Sequence, residues 1–134
     1  MEHIDILLIE DNQADKSWVE IQLEKSFLSS YTIQCCEFIA RAKDLIQTQN
    51  FSLIIIDLCL PGNRGLETIN YFIQTSGLPV IIYTEISDSL VKQQAFRCGI
   101  FDYLVKGQTS PEVFINCINS CLAKKGSPES TTGG

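Results

Sequence analysis

Residues 53–65 read LIIIDLCLPGNRG. The first four residues of this segment are apolar and three of them are β-branched, a pattern typical of a short strand buried on both faces. Asp57 follows where the apolar run ends, and Pro61-Gly62 predicts a turn soon after it. Because an unpaired carboxylate beside a hydrophobic core costs free energy, this position indicates a site that supplies Asp57 with partners.

Four further apolar runs flank this segment at intervals too long for β-hairpins. They are IDILLI (Ile4–Ile9), YTIQCC (Tyr31–Cys36), PVIIYT (Pro79–Thr84) and IFDYLV (Ile100–Val105), and the central run extends over SLIIID (Ser52–Asp57). The segments between them have helical length and period; Ile39, Ala42 and Leu45, for example, fall on one stripe. This alternation predicts an α/β fold, a parallel sheet with helices on both faces and right-handed crossovers.

Local signals predict where two of the helices begin. Ser87 is predicted to cap the fourth helix, with Ile86 and Val91 as a hydrophobic staple. Ser110 followed by Pro111 predicts the start of the fifth helix. The fifth helix is apolar over a wide arc, so it is either deeply packed or presents a contact surface, and both explanations stay open.

Composition limits the class of protein. A chain of 134 residues with 45% apolar and 19% charged residues is typical of one folded domain. We expect that domain over residues 1–125, with a polar tail or linker over residues 126–134. No apolar run approaches the roughly 18–20 residues that cross a membrane. The start MEHIDILL carries acids where a secretion signal carries bases, so we expect a cytoplasmic location.

Charge and cysteine content disfavour other classes. The net charge of −6, from 16 acidic and 10 basic residues, argues against direct nucleic-acid binding, and no membrane partner is expected. The six cysteines include no CxxC pair and His3 is the only histidine, which argues against a structural zinc site. We therefore expect free thiols, most of them packed as small apolar side chains.

Polar residues collect where the predicted strands end. They are Glu10, Asp11, Asp57, Thr84 and Lys106. The carboxyl ends of parallel strands open onto one crevice, so these side chains are expected to meet there. Several carboxylates in one crevice need a cation, and carboxylate oxygens select Mg²⁺ or Mn²⁺. With a lysine and a hydroxyl added, the set suits phosphoryl transfer to a carboxylate, with Asp57 as the nucleophile.

This ordered set resembles the receiver domain of two-component response regulators, the CheY-like family. The matching features are Glu10-Asp11, Asp57 in a D-x-x-x-P-x-x-x-G pattern, Thr84, and Tyr103-x-x-Lys106. No single motif is specific for this family, but the order in which the motifs occur over about residues 3–125 is specific. The resemblance implies a flavodoxin-like (βα)5 fold, a doubly wound parallel five-stranded sheet with strand order 2-1-3-4-5.

The resemblance also implies a metal site and a phosphodonor. Asp11 and Asp57 would bind Mg²⁺ (or Mn²⁺) directly, Glu10 would bind it through water, and the backbone carbonyl of Cys59 would complete the protein ligands. Asp57 would accept a phosphoryl group from the phosphohistidine of a histidine kinase or a histidine phosphotransfer protein. Beyond its own phosphorylation and dephosphorylation, such a domain is not expected to be an enzyme.

A conformational switch is the last property that the resemblance implies. Thr84 and Lys106 would hold the phosphoryl oxygens, and movement of Thr84 would free space into which Tyr103 rotates. That rotation would change the surface formed by the fourth helix, the fifth strand and the fifth helix. We expect a homodimer, if one forms, to use this surface.

Two residues depart from the usual family pattern and keep alternatives open. Glu85 stands where a small residue is common, and Gly107 stands where a proline after a cis bond is common. A receiver-like domain that signals by binding alone is therefore the alternative function. A flavin-phosphate module is disfavoured by the two acids after the first strand, and an aspartyl phosphatase by Cys59 where a second acid is common. Singly, each site residue also has a structural explanation, such as a helix cap for Asp57.

Overall fold

The computed structural model describes residues 3–26 and 30–126. Within these residues, strands and helices alternate along the chain. They are β1 (Ile4–Ile9), α1 (Gln13–Glu24), β2 (Tyr31–Cys36), α2 (Ile39–Thr48), β3 (Leu53–Ile56), α3 (Leu66–Ser76), β4 (Val80–Thr84), α4 (Ser89–Cys98), β5 (Asp102–Val105) and α5 (Pro111–Gly126). The tail predicted for residues 126–134 lies outside the described residues except for Gly126, which ends α5.

The strands form one parallel sheet in the order β2-β1-β3-β4-β5, which confirms the predicted fold class. β3 lies at the centre of this sheet, and all four of its residues are fully buried. Three strands are shorter by one or two residues than their apolar runs, because backbone pairing and not apolarity sets the strand ends. Their carboxyl ends all lie at one edge of the sheet.

Helices cover both faces of the sheet, and alternate residues of β3 face the two sides. Ile54 and Ile56 pack in a core with residues of α2, α3 and α4. Leu53 and Ile55 pack in a second core with residues of α1 and α5. This two-sided burial explains why the central strand is a continuous apolar run instead of an alternating one.

Deep packing accounts for the wide apolar arc of α5. Phe114 and Ile118 are fully buried and Cys117 and Cys121 are nearly so, whereas Val113, at 51%, is the one large apolar side chain in the described part of α5 that is substantially exposed. Trp18 of α1 packs against the same helix, with its ring 5.2 Å from that of Phe114 and at an angle of 76°. The arc is therefore explained by contacts with the sheet and α1, and it needs no further partner.

The structure corrects one predicted helix start and confirms another. The N-cap of α4 is Asp88 and not Ser87, because the Asp88 carboxylate accepts hydrogen bonds from the backbone N–H groups of Leu90 (2.8 Å) and Val91 (3.0 Å). At α5, Ser110 Oγ accepts from Val113 N at 3.2 Å, as predicted. Both starts satisfy helix donors that would otherwise lack a partner.

All six cysteines lie in the described part of the chain, and none of them is in a disulfide there. Cys36, Cys117 and Cys121 are buried in the two cores, whereas Cys59 is exposed. Burial is the largest influence on Cys117 and raises the pKa of its thiol, so this residue stays protonated and packs as an apolar side chain. Among the described helices, none is both long and apolar enough to cross a bilayer.

Candidate functional site

Three carboxylates surround one lysine at the carboxyl edge of the sheet. Lys106 Nζ lies 2.6 Å from Asp57 Oδ2, 2.7 Å from Asp15 Oδ2 and 2.8 Å from Glu10 Oε1. Glu10 follows β1, Asp57 follows β3, and Lys106 reaches them from the end of β5 at the sheet edge. The site thus joins residues from three separate parts of the chain around a single positive charge.

Backbone hydrogen bonds place Asp57 at this point. Its N–H donates to the Ile9 carbonyl (3.1 Å), which continues the ladder between β1 and β3 by one residue. The Cys59 N–H donates to Asp57 Oδ1 at 2.9 Å, and the Asn63 side-chain amide donates to the Asp57 carbonyl at 2.9 Å. Asp57 Oδ1 is therefore held by the backbone, and Oδ2 faces Lys106.

A turn after Asp57 directs the chain into α3. Asn63 N donates to the Leu60 carbonyl at 3.0 Å, with Pro61 and Gly62 as the two central residues. Gly62 has a φ of 79°, a conformation that glycine adopts without the strain of a side chain. The Pro61-Gly62 turn predicted from the sequence is confirmed.

Gly107 allows a turn of the same kind beside Lys106. Lys106 N donates to the Thr84 carbonyl (2.8 Å), and Gln108 N donates to the Val105 carbonyl (3.0 Å). Gly107 has a φ of 81°, and the described residues contain no cis peptide bond. The left-handed glycine conformation therefore directs Lys106 toward the carboxylates through a trans peptide, without the cost of a non-proline cis bond, about 2.5–4 kcal/mol.

Burial and ion pairing oppose each other in the site. Burial alone would lower the pKa of Lys106, but its three carboxylate contacts outweigh burial and raise that pKa. Burial would raise the pKa of Asp57, but hydrogen bonds from Lys106 and from the Cys59 N–H lower it below the ordinary carboxyl value. Burial is also the largest influence on Glu10, and it raises the pKa of this carboxyl. Asp57 is thus kept ionised by the hydrogen bonds that its carboxylate accepts.

Thr84 and Tyr103 lie next to the carboxylates. Thr84 is fully buried, its Oγ1 is 3.6 Å from Cys59 Sγ, and it accepts a long hydrogen bond from Ile86 N at 3.5 Å. Tyr103 is 3% exposed and its hydroxyl donates to the Ile86 carbonyl at 2.7 Å. The loop that contains Ile86 therefore links the two residues, because the Ile86 carbonyl holds Tyr103 inward and the Ile86 N–H contacts Thr84.

Tyr103→Phe is expected to lower the free energy of unfolding by about 0.5–1.5 kcal/mol, because it leaves the Ile86 carbonyl without its hydroxyl donor. Urea unfolding monitored by circular dichroism measures this change. Tyr71→Phe is the matched control, since Tyr71 contacts Phe72 and Lys43 through its ring. Equal losses in the two variants would contradict a role for the Tyr103 hydroxyl in holding this orientation.

The structure brings some of the predicted residues together and leaves others apart. Glu10, Asp57 and Lys106 form one cluster, whereas Asp11 is exposed and is not among the described carboxylates within ion-pair distance of Lys106. Asp15 is a site residue that the sequence analysis missed. Its position in the first turn of a helix that starts just after β1 was the available signal.

The donor chemistry of the site suits a divalent cation. Three carboxylates share one ammonium, so negative charge is in excess, and Glu10 Oε1 is a buried oxygen without a hydrogen bond of good geometry. However, no three acidic, histidine or cysteine side chains of the described residues stand in an arrangement that would hold a metal ion. Lys106 occupies the point that the carboxylates share, so metal binding requires Lys106 to yield part of its contacts.

The fold and the geometry of the site together define a class of protein. It is a doubly wound α/β domain with a lysine–carboxylate site. Residues 6–118 match the family model of the response regulator receiver domain. The chain belongs to this family, the receiver domains of two-component systems, which are signalling domains. Response regulators of such systems act with histidine kinases.

Curated relatives and solved structures agree with this assignment. The response regulator ArlR of Staphylococcus haemolyticus is 34% identical over 110 residues, which cover 81% of this chain and 48% of that protein. KdpE, the KDP operon transcriptional regulatory protein of Escherichia coli, is 33% identical over 101 residues, or 75% and 44% of the two chains. The chain thus spans about half the length of the curated relatives it matches.

Solved structures show the same fold at lower sequence identity. A CheY-like receiver domain protein of Methanospirillum hungatei superposes with a TM-score of 0.79 at 19% identity, over 92% of this chain and 97% of that one. The Mn²⁺-bound form of response regulator Rcp1 superposes with a TM-score of 0.72 at 22% identity, over 92% and 93% of the chains. These structures support the fold and its strand order.

Proposed function

We propose that this domain accepts a phosphoryl group on Asp57 from the phosphohistidine of a histidine kinase or a histidine phosphotransfer protein. The observation that carries the proposal is the contact of 2.6 Å between Lys106 Nζ and Asp57 Oδ2 in a buried site. This contact keeps the nucleophile ionised and places a positive charge where phosphoryl oxygens would collect. Family membership supports the same assignment.

The chemical step moves the phosphoryl group from a phosphoramidate bond on the donor histidine to an acyl phosphate bond on Asp57. A carboxylate oxygen of Asp57 forms a bond to phosphorus while the bond between phosphorus and the donor nitrogen breaks. The electron pair of that bond stays on the donor nitrogen, and the histidine ring leaves as neutral imidazole when its other ring nitrogen carries a proton. Thr84, whose hydroxyl lies beside Cys59, and Lys106 would hold phosphoryl oxygens as the negative charge spreads over them.

Mg²⁺ or Mn²⁺ fits this function through the carboxylates of the site. Asp57 and Asp11 would hold the ion, with Glu10 acting through water and the Cys59 carbonyl as a further oxygen ligand. Bound there, the ion would neutralise charge on the phosphoryl oxygens. Asp11 is exposed at the start of the β1–α1 loop, so its side chain has the freedom to turn toward Asp57.

Phosphorylation would act on the rest of the domain through Thr84 and Tyr103. The buried Tyr103 hydroxyl holds the Ile86 carbonyl, and Ile86 N in turn contacts Thr84. A shift of Thr84 toward a phosphoryl group would therefore disturb the contacts that keep Tyr103 inward. The surface of α4, β5 and α5 would change as a consequence.

We also propose the partners and the location that follow from this function. A histidine kinase or phosphotransfer protein would be the phosphodonor, in a cytoplasmic setting. Homodimerisation through α4, β5 and α5 remains a prediction; the exposed apolar side chains of this face are Leu90, Phe96 and Val113. Direct binding to nucleic acid or to a membrane is not part of the proposal.

The test is phosphorylation of the purified protein by a small acyl phosphate in the presence of Mg²⁺, followed by intact-mass spectrometry. We expect one phosphoryl group on the wild type and none on Asp57→Asn, because the amide cannot form an acyl phosphate. Beryllofluoride should change the fluorescence of Trp18, the only tryptophan, in the wild type alone. If the wild type gains no phosphate and does not respond to beryllofluoride, the domain acts by binding alone.

A further inference from the structure

Three carboxylates surround the ammonium of Lys106, and its hydrogen bonds of good geometry go to Asp57 and Asp15. A lysine ammonium carries three N–H donors, and three carboxylates approach Nζ at 2.6, 2.7 and 2.8 Å. A phosphoryl oxygen on Asp57 needs at least one of these donors. A phosphoryl oxygen therefore competes with the carboxylates that surround Lys106 for these donors.

Exposure identifies which carboxylate can leave at the lowest cost. Asp57 is the phosphoacceptor itself, and the side chain of Glu10 is 1% exposed, so separating Glu10 from Lys106 would leave a buried charge without its partner. The side chain of Asp15 is 28% exposed, so water can replace the lysine. Asp15 therefore has the contact with Lys106 that is easiest to break.

The backbone holds Asp15 in place for this contact. Asp15 lies in the first turn of α1, and its N–H donates to the side-chain oxygen of the Asn12 cap at 2.9 Å. The positive end of the helix favours a carboxylate at this position whether or not Lys106 is bound. Release of Lys106 thus requires no change in the fold.

We propose that Asp15 is a positioning residue that holds Lys106 in the unphosphorylated state and competes with the phosphoryl group for it. This inference rests on the proposed phosphorylation of Asp57. Asp15 also adds a negative charge that repels an anionic phosphodonor. Both effects slow phosphorylation and weaken the contact between Lys106 and a phosphoryl oxygen.

The test compares the wild type with Asp15→Asn and Asp15→Glu. Beryllofluoride is titrated at saturating Mg²⁺ with Trp18 fluorescence as the readout, because Trp18 stacks on Tyr83 and Lys106 Nζ lies 5.7 Å from the centre of the Tyr83 ring. We expect Asp15→Asn to bind beryllofluoride about two- to five-fold more tightly, the range of a partly exposed ion pair. Its rate of phosphorylation by an acyl phosphate should rise by a similar factor.

Two controls separate competition from structural damage. Asp15→Glu keeps the charge and should reverse most of the effect of Asp15→Asn, and Glu20→Gln removes one exposed charge from the same helix and should change neither readout. Unchanged or weaker beryllofluoride binding by Asp15→Asn would overturn the inference while the proposed function stands. A wild type that responds to neither beryllofluoride nor acyl phosphate would overturn both.

Discussion

Lys106→Ala is expected to lower the free energy of unfolding by about 3–5 kcal/mol, the usual cost of breaking a buried ion pair from one side. The side chain of Lys106 is 8% exposed and it is the only cation within ion-pair distance of Glu10 and Asp57 among the described residues. Without it, two buried carboxylates face each other uncompensated. Urea unfolding at neutral pH, without divalent cations, measures the loss.

Mg²⁺ should restore part of this stability, because a divalent cation neutralises the same carboxylates and binds only the folded state. The increase with Mg²⁺ should be larger for Lys106→Ala than for the wild type. Arg64→Ala is the matched control, since Arg64 and Glu67 form an ion pair whose side chains are 76% and 73% exposed. That variant should lose no more than about 1 kcal/mol. A comparable loss of stability in Lys106→Ala and Arg64→Ala would contradict the interpretation that Glu10, Asp57 and Lys106 form a buried cluster whose members depend on one another.

Phe114→Ala is expected to lower the free energy of unfolding by about 3–5 kcal/mol, the cost of removing a buried aromatic ring and leaving a cavity. Phe114 is fully buried, and its ring lies 5.2 Å from Trp18 and 5.8 Å from Tyr83. The ring therefore joins α5 to α1 and β4. Because Trp18 loses an edge contact, its fluorescence should also shift to longer wavelength in the folded variant.

Val113→Ala, at the preceding position of the same helix, is the control for this experiment. Val113 is 51% exposed, and its truncation should change the stability by less than about 0.5 kcal/mol. The contrast tests whether α5 is held by packing on the sheet. Similar losses at both positions would mean that the exposed side of α5 contributes as much as its buried side.

Much of the fold was predictable because its signals are local. Apolar runs marked all five strands to within two residues, and Ser110-Pro111 marked the start of α5. The cap of α4 was predicted one residue too early. Ser87 and Asp88 are adjacent and both residue types cap helices well, so propensity cannot choose between them. The path of the loop after β4 decides which of these two residues directly precedes the first turn of the helix.

The chemical groups of the candidate site were predictable from the sequence. Which carboxylates pair with Lys106 was less predictable. Glu10, Asp57 and Lys106 were expected to meet because parallel strands end at one edge of the sheet. Asp15 was missed because it lies in the first turn of α1 and not at the end of a strand, where the site residues were expected. Its carboxylate has the same chemistry as that of Asp11, and only the positions of α1 and the β5 end decide which of them reaches the lysine.

Residue type and order thus determined the alternating architecture, the central strand and the set of groups available for phosphoryl chemistry. Those properties depend on the periodicity of apolar residues and on the conformational propensities of neighbouring residues. Both are the same wherever the segment lies in the fold. The tertiary structure decided that Lys106 is surrounded by three carboxylates, that Tyr103 points inward and that α5 is packed on both of its apolar stripes. Each of these depends on distances between segments that only the packed sheet and helices bring together.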